Sequence, residues 1–212
     1  RSELRDNYTN SLKETVHSKP VKGLHKSALE HDAALDLIEQ ACILNDDIWL
    51  RSSRNVGFQY RFNDDHALEE SETCEFKGCE RAGEVQTYSS ARRHVTDYLP
   101  KTVCAFLNTE GGVFHVGVHD SRRVSGVKLS SEEKDQLMLL IGNKLREIQP
   151  LPYLRVNPRY HQVHGAPGDA NNVFVIAVAV ARPPPEEGNQ LPFSVNKKKY
   201  LRFNNSNREI KE

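Results

Sequence analysis

The chain has 212 residues, 37% of them hydrophobic and 27% charged. That is enough apolar material for one good-sized domain with an appendage, and too much for a disordered chain. Lys plus Arg and Asp plus Glu each total 29, so the net charge is zero. A uniformly basic nucleic-acid binder is excluded, and any polyanion site must come from local segregation of charge. No run approaches the ~18 consecutive apolar residues of a membrane span, and the opening RSELRD does not read as a secretory leader.

In chain order, residues 1–30 are polar and without period, and read as a loosely held arm. Residues 31–44 (HDAALDLIEQACIL) carry a broad apolar stripe and predict an amphipathic helix. Residues 48–53 and 56–62 read as strands, followed by a polar break at 63–66. Residues 73–77 predict a strand and 78–88 a loop. Ser89 and Ser90 are placed to cap a helix starting at Ala91. Pro100 divides it, sitting in the first turn of a second helix that turns Val103, Cys104, Phe106 and Leu107 inward. That helix stops at Asn108-Thr109-Glu110-Gly111-Gly112.

A buried strand over 113–118 and a turn at 119–122 lead to a strand around 124–129. Ser130, Ser131, Glu132 and Glu133 cap a helix running to Ile148, with Leu137, Leu140, Ile141 and Leu145 on one face. Residues 153–163 and 173–181 are strands, the second almost wholly apolar and therefore central. Residues 183–188 form a solvated loop, 199–203 a last strand, and 206–212 a tail. The order predicts an α+β fold, with a mixed, mostly antiparallel sheet and helices packed on it. The domain expected is 68–205, preceded by an arm, helix and hairpin over 1–67 that could be a reduced first lobe.

The four cysteines, Cys42, Cys74, Cys79 and Cys104, lack the paired spacings of a zinc site and are too few for a disulfide scaffold. Reduced thiols, and an intracellular, cytoplasmic protein, are expected. His161 and His164 read as a polar pair at a strand end, and no zinc is expected.

Chemistry concentrates in two stretches. In the run EESETCEFK (69–77), Glu75 and Lys77 are two apart on a strand, so their side chains share a face while Phe76 points the other way. A carboxylate beside an ammonium fits a metal-dependent nuclease: the acid holds a hard cation, and the lysine neutralises charge on phosphate. Glu70 lies at an odd offset from Glu75, so it reaches the same site only from a turn or bulge before the strand. Glu69 and Glu72 read as solvated acids. In the second stretch, Asp120 is the first acid after the buried strand 113–118, at a strand end where a site can open. Glu70, Glu75, Asp120 and Lys77 would together make a one- or two-metal phosphodiesterase centre.

The ordered set Glu70-Ser71, Glu75-Phe76-Lys77, Ala105-Phe106, Asn108-Thr109, Gly111-Gly112, Gly117-Val118, Asp120, Val124 and Gly126, with the late strand Lys199-Tyr200-Leu201-Arg202-Phe203, resembles the Schlafen family. The likeness is to its AlbA-like domain, in the short form without a helicase extension, and covers about residues 68–205. It implies a Schlafen/AlbA-like lobe, in which Glu70, Glu75 and Asp120 correspond to the acidic triad of endoribonucleases that cleave structured RNAs such as tRNA with Mg2+ or Mn2+. Related assemblies trim piRNA precursors.

Full Schlafen cores pair two lobes around a basic valley, whereas only one lobe is clear here. A second Schlafen-like subunit is therefore the expected partner, besides RNA. Expected RNA contacts are Arg92, Arg93, Arg122, Arg123, Lys197, Lys198, Lys199 and Arg202, with recognition mainly through shape and backbone. The rival readings are a non-catalytic nucleic-acid-binding or scaffold subunit, and a regulator that binds duplex DNA without metal.

Overall fold

A computed structural model describes residues 59–79, 81–152, 155–168, 171–181 and 193–211. The expected helix over 31–44, the strand over 48–53 and the loop over 183–188 lie outside the described residues.

The main sheet is mixed. Its strands are β1 (Tyr60–Arg61), β2 (Cys74–Lys77), β3 (Gly112–Val116), β4 (Val127–Lys128), β6 (Val156–His164) and β7 (Val173–Val180). The order is β1-β6-β7-β3-β2, with β4 also on β7. Pairing is antiparallel around β7 and parallel for β1–β6 and β2–β3. The sequence VFVIAVAV makes β7 central because every position but Phe174 is buried, which requires cover on both faces. Two small antiparallel ribbons complete the strands. One pairs β5 (Ile148–Gln149) with β8 (Ser194–Val195), the other β9 (Lys199–Phe203) with β10 (Ser206–Ile210).

The register decides which side chains go where. Phe114 and Val116 of β3 face three helices, α1 (Tyr88–Asp97), α2 (Leu99–Leu107) and α3 (Ser131–Leu145), and share the larger core with Ile176, Val178 and Val180. Glu75 pairs with Phe114 and Lys77 with Val116, so both point to this helix-bearing face at the β2 edge. Phe76 pairs with His115 and enters a second, smaller core on the other face with Tyr60, Val118, Val124, Val163 and Val175. The strand thus delivers two charges to one side and its apolar anchor to the other.

Helix α2 is buried along nearly its whole length, and Pro100 sits in its first turn as the sequence predicts. Gly112 follows because a Cβ there would stand 2.6 Å from Thr73 O and 2.8 Å from the Phe106 ring. Asn108 closes the helix and reaches across the chain. Its Nδ2 donates to Phe193 O (2.8 Å) and Tyr200 O (3.1 Å), and its Oδ1 accepts from Phe193 N (3.1 Å).

Four local expectations shift. Helix α1 begins at Tyr88, capped by Thr87, whose side chain accepts from Ser90 N. Ser89 and Ser90 lie inside it because Thr87 already satisfies the first free amide. Helix α3 keeps its Ser130–Glu133 capping box but ends at Leu145, since Ile148 leaves to pair with Val195. The strand expected over 124–129 shrinks to Val127–Lys128, because Ser125 and Gly126 turn both amides onto Gly117 O. Residues 206–210, expected as a tail, form β10. Asn204 and Asn205 supply the two left-handed residues (φ 47° and 60°) of a two-residue hairpin loop. Among the described residues, no helix is long and apolar enough to cross a membrane.

The small core holds a cluster of imidazoles. His66 packs 4.9 Å from His115 and 5.0 Å from Phe76, ring centre to ring centre, and His161 lies 5.3 Å from Tyr60. Burial holds all three histidines neutral, His66 and His161 pushed down to about 4 and His115 well below its ordinary value. Below the free-histidine value near 6.5 the unfolded chain takes up protons that the folded chain refuses, so acid favours unfolding.

Two predictions follow from this packing. Urea unfolding at a series of pH values will show stability level between about 6.5 and 8 and falling as the pH drops toward 4. Asn108→Ala will lower unfolding free energy by about 2–3 kcal/mol in the same assay at neutral pH, because three backbone groups each lose a hydrogen bond.

Candidate functional site

Strand β2 sets the site. Its first half is held by a turn in which Ser71 N donates to Cys74 O (3.0 Å) and Cys74 N to Ser71 O (3.3 Å). That turn folds Glu70 back alongside the strand, where its Oε1 accepts from Phe76 N at 2.9 Å. The odd spacing between Glu70 and Glu75 is thereby resolved by a chain reversal. At the far end of the strand, Lys77 O accepts from Gly117 N (2.9 Å) and Gln86 Nε2 (3.0 Å). Gly78 must lack a side chain, since a Cβ would come within 2.4 Å of His119 Cα. This close approach draws the 119–123 turn, with Asp120, against the end of β2.

Glu75 is buried and Asp120 exposed, with Glu70 between the two. Burial raises the carboxyl of Glu70 above its ordinary value. The Phe76 amide and Lys77 oppose that rise, while the charges of Glu75 and Asp120 add to it. The structure therefore brings Glu75, Asp120 and Lys77 each within reach of the charge of Glu70. It does not build a closed cage: among the described residues, no three His, Cys, Asp or Glu side chains stand close enough to hold an ion as they are.

Glu75 instead lies between two cations. Lys77 Nζ is 2.7 Å from its Oε1, and Arg202 Nη1 is 2.7 Å from its Oε2. The second contact is an ion pair whose angles make no hydrogen bond, which leaves Oε2 a buried acceptor without a donor. A carboxyl raised by burial, and further by its acidic neighbours, as Glu70 is, is what a hard cation relieves. Three carboxylates are the oxygen donors that Mg2+ or Mn2+ takes.

The expected RNA contacts divide. Arg92 and Arg93 are exposed on α1, and Lys197 lies exposed in the turn before β9. Lys198 pairs with Glu209 at 2.9 Å, and Lys199 opens β9 half-buried. Arg122 holds Glu69 (2.7 Å) and Asp65 (3.4 Å), while Arg123 pairs with Asp65 at 3.3 Å and donates to Asn63 O at 2.7 Å. These pairs tie the segment leading to Glu70 to the turn that carries Asp120. Glu72 is exposed, and Glu69, also exposed, belongs to that tie.

Arg202 departs from expectation. Its side chain is 0% exposed and directed at Glu75, so no phosphate can touch it. Alternation along β9 was the available signal: Tyr200 and Arg202 share a face, and Tyr200 is an inward-facing apolar residue. Two further neighbours carry no sequence motif. Tyr98, 44% exposed at the junction of α1 and α2, has Lys77 Nζ 5.2 Å from its ring centre. His94, kept neutral by burial, shares a hydrogen bond with Gly78 O (3.1 Å).

One solved structure similar to this chain is the DIP2311 protein from Corynebacterium diphtheriae, with 21% identity and a TM-score of 0.41. The match covers 81% of this chain and 26% of that one, so this chain spans about a quarter of that protein's length. The family described as Schlafen, AlbA_2 matches residues 70–211, from Glu70 to the end of the β9–β10 hairpin. Most of the described fold, including all four residues of the acidic site, falls inside that match, and the chain belongs to the Schlafen AlbA_2 family.

Proposed function

We propose that this chain is a subunit of a divalent-metal-dependent endoribonuclease. Family membership ties it to a nucleic-acid-related function. The observation that carries the finer reading is the electrostatic neighbourhood of Glu70, which includes Glu75 and Lys77 of β2 and Asp120 of the 119–123 turn. Glu70, Glu75 and Asp120 would hold Mg2+ or Mn2+. Bound there, the ion supplies positive charge at the scissile phosphate and lowers the pKa of a water.

The remaining work belongs to the chain. Lys77 neutralises charge that grows on the phosphoryl oxygens. The Phe76 amide fixes one oxygen of Glu70 and so holds the carboxyl beside the strand. Arg92, Arg93, Arg122, Arg123 and Lys197–Lys199 track the RNA backbone, a reading that suits structured RNA recognised by shape, such as tRNA or a piRNA precursor. A second Schlafen-like subunit supplies the opposite wall of the groove, and the cytoplasm is the compartment we assign.

A second reading has its own support. Glu75 is already neutralised by Lys77 and Arg202, as suits a subunit that binds nucleic acid or scaffolds a nuclease without cutting.

The two readings separate in a cleavage assay on tRNA-like and short single-stranded RNAs, with the chain alone and with a Schlafen-like partner. Asp120→Asn, on its exposed turn, will cut at least ~100-fold more slowly than wild type, a loss of about 2.7 kcal/mol in transition-state stabilisation, with unchanged circular dichroism, and Glu75→Gln will lose as much activity and also melt at a lower temperature. Chelation by EDTA will stop wild type. Wild type that binds these RNAs but never cuts them, under any pairing, would establish the scaffold instead.

A further inference from the structure

The two cations on Glu75 are built differently. Arg202 enters from β9 with its side chain wholly shielded from solvent. Besides the contact with Glu75, Nη1 donates to Asn207 Oδ1 at 3.1 Å, and Nη2 donates to Ser71 O at 2.9 Å and Cys74 O at 3.4 Å. Its guanidinium carbon lies 5.3 Å from the centre of the Phe106 ring. Asn207 is itself fixed, its Nδ2 donating to Thr102 Oγ1 of α2 at 2.8 Å. The turn that carries Glu70, the C-terminal hairpin and the buried helix all converge on this one guanidinium.

Lys77 is tied far more lightly. Its side chain is 17% exposed. Its nitrogen meets Glu75 Oε1, two residues away on the same strand, and donates to the adjoining carbonyl, Phe76 O, at 2.6 Å. Its nitrogen also lies 5.2 Å from the centre of the half-open ring of Tyr98. A lysine ammonium is a compact charge on a flexible stem, so it can exchange such partners at little cost. A buried carboxylate cannot do the same, because losing every counter-charge leaves an uncompensated charge in a dry site.

We infer that the two cations divide the work: Arg202 is a positioning residue that keeps Glu75 in place throughout, and Lys77 is a mobile cation that leaves Glu75 for a phosphodiester oxygen of RNA. The inference rests on the nuclease reading and deepens it. When Lys77 leaves, Arg202 still compensates Glu75, and Oε1 becomes open to a divalent cation. Arrival of the nucleic-acid phosphate and binding of the cation are thus coupled through one side chain, and by linkage each strengthens the other. The C-terminal hairpin, through Arg202 and Asn207, becomes part of the site.

Binding of Mn2+ tests this without any turnover. The full chain is titrated with Mn2+, following loss of the free-ion signal by electron paramagnetic resonance, with and without an uncleavable 2′-O-methyl RNA. In wild type the RNA raises Mn2+ affinity about tenfold, equivalent to about 1.4 kcal/mol of coupling. Lys77→Met binds Mn2+ about tenfold more tightly without RNA and loses the RNA effect. Arg202→Met weakens Mn2+ binding at least tenfold, and Arg202→Lys recovers part of it.

Asn207→Ala, which loosens the guanidinium without removing its charge, gives a smaller loss and guards against misfolding of Arg202→Met; thermal melting checks each variant. Lys77→Met that weakens Mn2+ binding as Arg202→Met does, or Asn207→Ala and Arg202→Lys that both keep wild-type affinity while folded, overturns the division of labour alone. Wild type that binds no Mn2+ at all, with or without RNA, removes the nuclease reading and this inference with it.

Discussion

The constraint on which the site depends is a carboxylate buried at the edge of a sheet. Glu75 occupies a position on β2 that the register assigns to the helix-bearing face, beside Phe114. A charge there is costly unless it is compensated. The compensation comes from Lys77 on the same strand and from Arg202, contributed by a strand more than a hundred residues later. Once that pair forms, the same guanidinium holds the turn that carries Glu70, and the hairpin is bound to the first strand of the family-matched region. The acid proposed for the site and the closure of the fold therefore share one interaction.

The two faces of the sheet have separate duties. On one, α2 is buried almost completely and gives the site a rigid floor. On the other, Phe76 is locked among Tyr60, His66 and His115, which fixes the strand from behind. Alternation along four residues converts these opposite anchors into precision. Cys74 and Phe76 cannot shift without dragging Glu75 and Lys77 with them. The buried histidines pack as neutral rings in that rear core. Cys74, its thiol pushed up to about 12 chiefly by burial, is an inert part of the same packing.

The acidic site as it stands is poised rather than complete. Its negative charge is partly held by its own cations, and its third acid, Asp120, stands exposed on a turn. That turn is kept near β2 by the approach of Gly78 to His119 and by the Arg122 and Arg123 ion pairs with Asp65 and Glu69. Exposed pairs of this kind contribute little stability each. Their value here is geometric, since they join the chain before Glu70 to the turn holding Asp120.

The sequence by itself determined whatever depends on neighbours along the chain. The 2.0-residue period put Glu75 and Lys77 on one face and Phe76 on the other. Apolar continuity made residues 173–180 central, Pro100 marked the junction of two helices, and the odd spacing of Glu70 demanded a turn. Residues 206–210, read as a tail, became β10, although the Asn204-Asn205 pair before them suits a hairpin loop. The tertiary structure alone decided what depends on partners far away in sequence. It turned Arg202 inward to Glu75, set Arg122 and Arg123 against Asp65 and Glu69, and gathered His66, His115 and His161 with Tyr60 in one core. Local pattern encodes the face on which a side chain lies. Which opposite charge meets it there is fixed only by folding, because the desolvation that makes such a pair matter does not exist in the extended chain.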